Sequence, residues 1–268
     1  MNSSTAQRFF HAACAALVLL APAILRAQSG TLDKIHRRDR LIVGSDMVFP
    51  IFNFKNPDTG RAEGFLADLA RALAKQLLGD ENKVEFRRTE EKTRLEAVAR
   101  GEIDVLIDTI PASEEKLKVV DFSDETFRSG SALLVKASSP IKTIDDITKN
   151  TRVIYSKANP DIKFIRAKAP EATYLEFENS TDAVAALKAG RGDVFTQVVT
   201  HLYRAASQNP GYQLTGRFTT KSYGIVLPKG DPALRGYLND FLRSLRASGE
   251  YDRLFKKWFG PYGGEAVR

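Results

Sequence analysis

The chain has 268 residues, 43% of them hydrophobic and 27% charged, a balance that suits a globular protein of one or two domains with a buried core. Its 40 basic and 33 acidic residues are interspersed rather than blocked, so the formal charge of +7 argues against nucleic acid as a partner. The single cysteine, Cys14, lies in the N-terminal apolar run, which leaves the rest of the chain without a disulfide or a thiol nucleophile.

Residues 1–27 read as a secretory signal peptide: Arg8 is the only charge ahead of "FFHAACAALVLLAPAIL", no acid occurs, and Ala27 offers a small residue at the cut. A membrane anchor fits less well, because Pro22 interrupts a run already shorter than the roughly 18 clean apolar residues that a span needs. The stretch "HAAC" is also a poor lipoprotein site, since the apolar run follows Cys14 instead of preceding it. Export to a bacterial periplasm is the expected localisation.

From residue 40 onward, short apolar runs alternate with helical periodicity, the pattern of βαβ units and a largely parallel sheet. "RLIVGS" is expected as a buried strand. "GFLADLARALAKQLLG" follows as a helix with Phe65, Leu69, Leu73 and Leu77 on one face, then strand "KVEFRR", helix "TRLEAVARG" and strand "IDVLIDTI". Residues 112–136 open with a helix-start signal at Ser113 ahead of Lys116 and run into two apolar strands. A second set starts after Thr143 and Asp146, a capping box. It runs through strand "RVIYS", helix "PDIKFIRAKA", strand "TYLEF", helix "STDAVAALKAGRG", strand "DVFTQVV", helix "HLYRAAS" and strand "YQLTGRF". "KSYGIVLPKG" is a further strand, and Asp231 with Pro232 opens a long C-terminal helix ending in "GEYDRLFKKWFG". Two βα sets with elements left over after the second predict two lobes between which the chain crosses twice.

Catalytic signatures are thin. Past residue 27 the histidines are His36 and His201, with no second ligand at metal spacing, and no nucleophile elbow, phosphate loop or dinucleotide fingerprint occurs. No carboxylates form an evident acid and base pair. Neither a cofactor nor a metal is expected.

"LDKIHRRDRLIVGSDMVFPIFNF", "GRAEGFLADLARALAKQLLG", "GEIDVLI", "VVDFSDETFRSGSALLVK", "ALKAGRGDV", "YGIVLPKGDPALR" and "SGEYDRLFKKWFG" resemble, in order along nearly the whole chain, the periplasmic solute-binding proteins of polar amino-acid ABC importers. The resemblance implies an α/β, two-lobed type II periplasmic binding fold with a ligand cleft between the lobes. It implies a first lobe of residues 28–126 and 223–268, a second of 127–222, and crossings near residues 126–130 and 219–223. It also implies a small solute, an amino acid or carboxylate, an inner-membrane permease and a monomer.

In the family an arginine at the position of Lys116 grips the solute's carboxylate, with a hydroxyl residue where this chain has Pro111. A lysine keeps the charge and loses the bidentate fork. Thr109 lies just upstream as a further candidate. "SKANPD" replaces the family's Gly-Ser/Thr loop, with Lys157 and Asn159 as possible donors. The aspartate that takes the α-ammonium aligns with Val198, and Gln197 precedes it. Leaving a buried ammonium unpartnered costs roughly 3–5 kcal/mol, against about 8 kcal/mol for an entire micromolar affinity. Either another acid compensates, with Asp46 and Glu91 the candidates, or the solute has no ammonium there. Arg94 matches the position where acidic-amino-acid binders carry an arginine, and with Lys116 and Lys157 it would suit a small organic anion.

The resemblance also implies that Phe49 and Phe52, after the first strand, stack on the body of the solute. Each candidate has a plainer reading. Lys116 is a solvated lysine on a first helical turn, Arg94 pairs with Glu90 or Glu91, Phe49 and Phe52 are core, Asp46 caps a turn, and Gln197 is structural. The expected function is solute capture by lobe closure for an importer. The alternatives are an accessory or sensory binding protein of the same fold, and an enzyme resembling cyclohexadienyl dehydratase.

Overall fold

The computed structural model describes residues 30–157, 159 and 161–260, so the expected signal peptide and Cys14 lie outside the described residues. The chain opens with α1 (Thr31–Arg38), β1 (Leu41–Ser45), β2 (Val48–Phe49), β3 (Asn53–Lys55), β4 (Ala62–Glu63), α2 (Phe65–Leu78), β5 (Val84–Arg88), α3 (Arg94–Ala99) and β6 (Val105–Leu106). The long strand β7 (Val120–Ser129) then leads into β8 (Ser131–Lys136). Next come β9 (Arg152–Ser156), α4 (Ile162–Lys168), β10 (Thr173–Phe177), α5 (Ser180–Lys188), β11 (Val194–Val198), α6 (Val199–Gln208) and β12 (Tyr212–Thr215). Finally β13 (Lys221–Pro228) precedes α7 (Pro232–Ala247) and α8 (Glu250–Phe259).

Two five-stranded sheets result, ordered β5-β1-β6-β13-β7 and β10-β9-β11-β8-β12. In each, the βα units pair parallel (β1 with β5 and β6; β9 with β10 and β11) while the crossing strands add antiparallel pairs. The chain leaves the first sheet between β7 and β8 and re-enters it at β13, within the predicted crossing segments.

The expected elements form where their signals lie. On α2, Phe65, Leu69 and Leu73 are fully buried, and Gly79 ends the helix at φ 76, a left-handed conformation that glycine adopts at little cost. Thr143 and Asp146 make the capping box, although it closes only a single 3-10 turn. Asp231 caps α7, its carboxylate accepting the Leu234 N–H.

Three differences have local causes. The C-terminal segment is two helices, because Gly249 at φ 74 turns the chain between α7 and α8. The strand expected over 103–110 shortens to Val105–Leu106, since the Asp108 carboxylate replaces a backbone carbonyl as acceptor for the Asp46 N–H. A small antiparallel sheet, β2-β3-β4, fills the stretch between β1 and α2, for which no element is predicted.

At the waist the two crossings touch. A β-carbon on Gly130 would overlap the Thr219 carbonyl. The Ser131 N–H donates to Thr219 Oγ1 at 2.7 Å and the Phe218 N–H to the Ser131 carbonyl at 2.9 Å. Beside them Phe127 and Tyr223 stack face to face, centroids 4.5 Å apart.

Gly130→Ala should therefore lower the urea unfolding free energy by about 1–3 kcal/mol, the range for overpacking. Gly236→Ala, on α7 with no atom within 4 Å of the added carbon, should raise it by roughly 0.5–1 kcal/mol. Equal responses at the two positions would contradict the crowded waist.

Candidate functional site

The first half of the site grows from the carboxyl ends of β1 and β6, where parallel strands stop and turn. Asp46 follows β1, and its Oδ1 accepts the Val48 N–H at 3.2 Å. Asp108 follows β6 and is 3% exposed. Its Oδ2 accepts the Asp46 N–H at 3.0 Å, and its Oδ1 accepts the Thr109 N–H at 2.7 Å. Arg94, the first residue of α3, places Nη1 3.5 Å from Asp108 Oδ2. Thus the plainer partners read for Arg94, Glu90 and Glu91, give way to Asp108, an acid that sequence reasoning missed. Glu91 is exposed beside this group, close enough for its charge to act on Asp46.

Burial and then the Asp46 charge raise the Asp108 carboxyl, the two N–H donors and Arg94 pull it back, and the net result is a rise from 3.8 to about 6. Asp46 is raised too, chiefly by burial, against the Val48 N–H and the charges of Arg94 and Arg88. Two guanidinium charges, Arg94 and Arg88, and the Glu91 carboxylate thus all act on Asp46. Arg94, expected to meet a solute carboxylate, is engaged with the Asp108 carboxylate in this structure.

Lys116 begins a 3-10 turn of three residues rather than an α-helix. Its ammonium donates to the Pro111 carbonyl at 3.0 Å in a partly buried setting. Pro111 bridges to Tyr223 of the returning crossing. The amine therefore sits beside the waist. Thr109 is half-buried next to Asp108. Phe49 is half-buried and meets the His201 ring of α6 edge-on at 5.7 Å, so it reaches from the first sheet's side to the second's.

Other candidates are engaged elsewhere. Phe52 is fully buried, packed on Phe127, Tyr203 and Phe259, and offers no surface to a solute. Lys157 is exposed and paired with Glu178. Asn159 is 5% exposed, its amide donating to the Thr196 carbonyl at 2.9 Å while its oxygen accepts the Asp161 N–H. Gln197 is 3% exposed, donating to Ser156 Oγ and accepting the Val198 N–H. Asn159 and Gln197 thus brace the loop after β9 and the end of β11, which is a structural task.

A further missed acid is Asp161, 8% exposed, whose Oδ2 accepts from Ser131 Oγ at 2.7 Å and Thr219 Oγ1 at 3.0 Å. The only sequence signal for it was an aspartate ahead of a helix, which reads as a cap. It stands at the N-cap of α4 but makes no cap hydrogen bond there.

The profile of the bacterial extracellular solute-binding proteins, family 3, matches residues 41–261. This chain belongs to that family. It is 40% identical over 92% of its length, and 91% of the relative's, to the ABC transporter glutamine-binding protein GlnH of Bacillus subtilis. It is 44% identical to the glutamine-binding protein of Geobacillus stearothermophilus over 74% of this chain and 76% of that one. Among solved structures, an ancestral cationic amino-acid solute-binding protein superposes with a TM-score of 0.71 at 32% identity, covering 85% of this chain and 99% of that one. The fold is accordingly the two-lobed type II periplasmic binding fold, with the cleft between the lobes, and the protein is a solute-binding receptor rather than an enzyme.

The raised pKa of Asp108 has a definite sign. Between about 4 and 6 the folded state holds a proton that the unfolded chain has released, so this residue's contribution to stability is lost as pH rises through that window. The unfolding free energy of the native protein, minus that of Asp108→Asn, should grow by about 2 kcal/mol from pH 7 to pH 4. A difference that stays flat across urea titrations at those pH values would put Asp108 at an ordinary pKa.

Proposed function

We propose that the protein is the receptor of an ABC importer for a polar L-α-amino acid, with L-glutamine the first candidate, and that it acts as a monomer in the periplasm after losing residues 1–27. The observation that carries this reading is the 40% and 44% identity to two proteins named for binding glutamine. The charge arrangement supports it: a primary amine at the waist, Lys116, suits a carboxylate, while the wall built from Asp46, Asp108 and Arg94 suits a group that donates hydrogen bonds or carries positive charge. A plain carboxylate would meet only the first of these. Residues 28–126 with 223–268 move as one lobe and 127–222 as the other, about the crossings at 126–130 and 219–223.

A solute can drive closure only by the difference between its affinities for the closed and open forms. Contacts from both lobes supply that difference. The closed form then docks on an inner-membrane permease.

Thermal unfolding of the chain lacking residues 1–27, against glutamine, glutamate, histidine, arginine, cystine and glutarate, tests the reading. Glutamine at 100 times its dissociation constant should add about 2.7 kcal/mol of stability, and Lys116→Met should weaken it at least tenfold. A transition unmoved by every amino acid would overturn the proposal, and full affinity in Lys116→Met would move the carboxylate end elsewhere.

A further inference from the structure

Among the described residues three acids are buried: Asp104, Asp108 and Asp161. Asp104 is in contact with the Arg38 guanidinium and accepts the Ile42 N–H at 2.7 Å. Asp108 has Arg94 and two N–H donors. Asp161 differs. Its hydrogen-bond partners are two hydroxyls, both on Oδ2, and the closest cation, Lys221 Nζ, stops at 4.0 Å. Its Oδ1 makes no hydrogen bond with a described residue, and its side chain keeps 11% of its surface open. A carboxylate held in this way has an unused acceptor and an incompletely compensated charge, which is the condition for attracting a cation from outside.

Its position is equally informative. Ser131, which donates to it, is the register partner of Val198 at the end of β11. Thr219, its other donor, begins the returning crossing. Asp161 therefore sits where the second sheet meets both crossings, next to an apolar residue that offers a solute ammonium nothing.

We propose that Asp161 receives the solute's α-ammonium through Oδ1, while the Ser131 and Thr219 hydroxyls hold the carboxylate in place through Oδ2. The inference rests on reading the solute as an α-amino acid. The Lys221 amine is the internal cation that the solute's ammonium displaces. Because Ser131 directly follows one crossing and Thr219 begins the other, loading Asp161 acts directly on the hinge.

The test compares L-glutamine with 4-carbamoylbutanoate, the same molecule without its amino group, by calorimetric titration of the protein lacking residues 1–27. In Asp161→Asn, glutamine binding should weaken thirtyfold or more while binding of the deaminated analogue changes less than threefold. Equal weakening of both ligands, or of neither, overturns the inference. A native protein that binds no α-amino acid overturns the proposed function, and this inference with it, whereas native binding with an unchanged ratio in the variant overturns the inference alone. Should Asp161→Asn fail to fold, Lys221→Met decides: removal of the competing amine should tighten glutamine binding threefold or more and leave the analogue unmoved. Unchanged affinity for both would overturn the assignment.

Discussion

Two segments of chain have to pass each other within backbone contact distance at the waist of this protein, and Gly130 is what permits it. A side chain there would overlap the Thr219 carbonyl. With the gap closed, the Ser131 N–H reaches Thr219 Oγ1, the Phe218 N–H reaches the Ser131 carbonyl, and the Val199 N–H reaches the Gly130 carbonyl. The last of these ties the start of α6 to the first crossing. The long antiparallel pair of β7 and β13 and the stacked rings of Phe127 and Tyr223 then extend the waist into the first sheet. Tyr223 in turn bridges to Pro111, whose carbonyl holds the Lys116 amine. One narrow contact thus orients groups on both sides of the cleft.

Charge follows the same geometry. Carboxylates are placed at strand ends on both sheets, and each is held by short donors within its own surroundings: backbone N–H groups for Asp46 and Asp108, hydroxyls for Asp161. The positive groups are partly spent. Arg94 neutralises Asp108, and Lys157 faces Glu178. A lysine in place of an arginine at residue 116 costs a bidentate grip, and the carbonyl of Pro111 orients its amine instead. Asp108 and Asp161 are buried acids that the sequence pattern did not single out.

The scaffold was legible because its signals are local. Apolar spacing on α2, the caps at Thr143 and Asp231, and the βα alternation all act within a few residues of where they are read. The site was less legible because its outcomes depend on partners far along the chain. Asn159 meets Thr196, Gln197 meets Ser156, Phe52 meets Tyr203 and Phe259, and Arg94 meets Asp108 rather than its helical neighbours. Asp161 was invisible for the same reason: its two hydroxyl partners come from residues 131 and 219. Gly249 shows the limit at short range, since a glycine within a helical pattern does not by itself announce a left-handed turn.

The account stands on two bodies that turn about the waist as the solute arrives. Beyond residue 27 the chain has no cysteine, so Lys92→Cys and Lys188→Cys, at exposed positions beside the first and second sheets, give two unique thiols for spin labels. Pulsed dipolar measurement of the distance between them should give a broad distribution without solute that collapses to its shortest component with saturating glutamine. A distribution that glutamine leaves unchanged, in a protein that binds it, would contradict closure about the crossings.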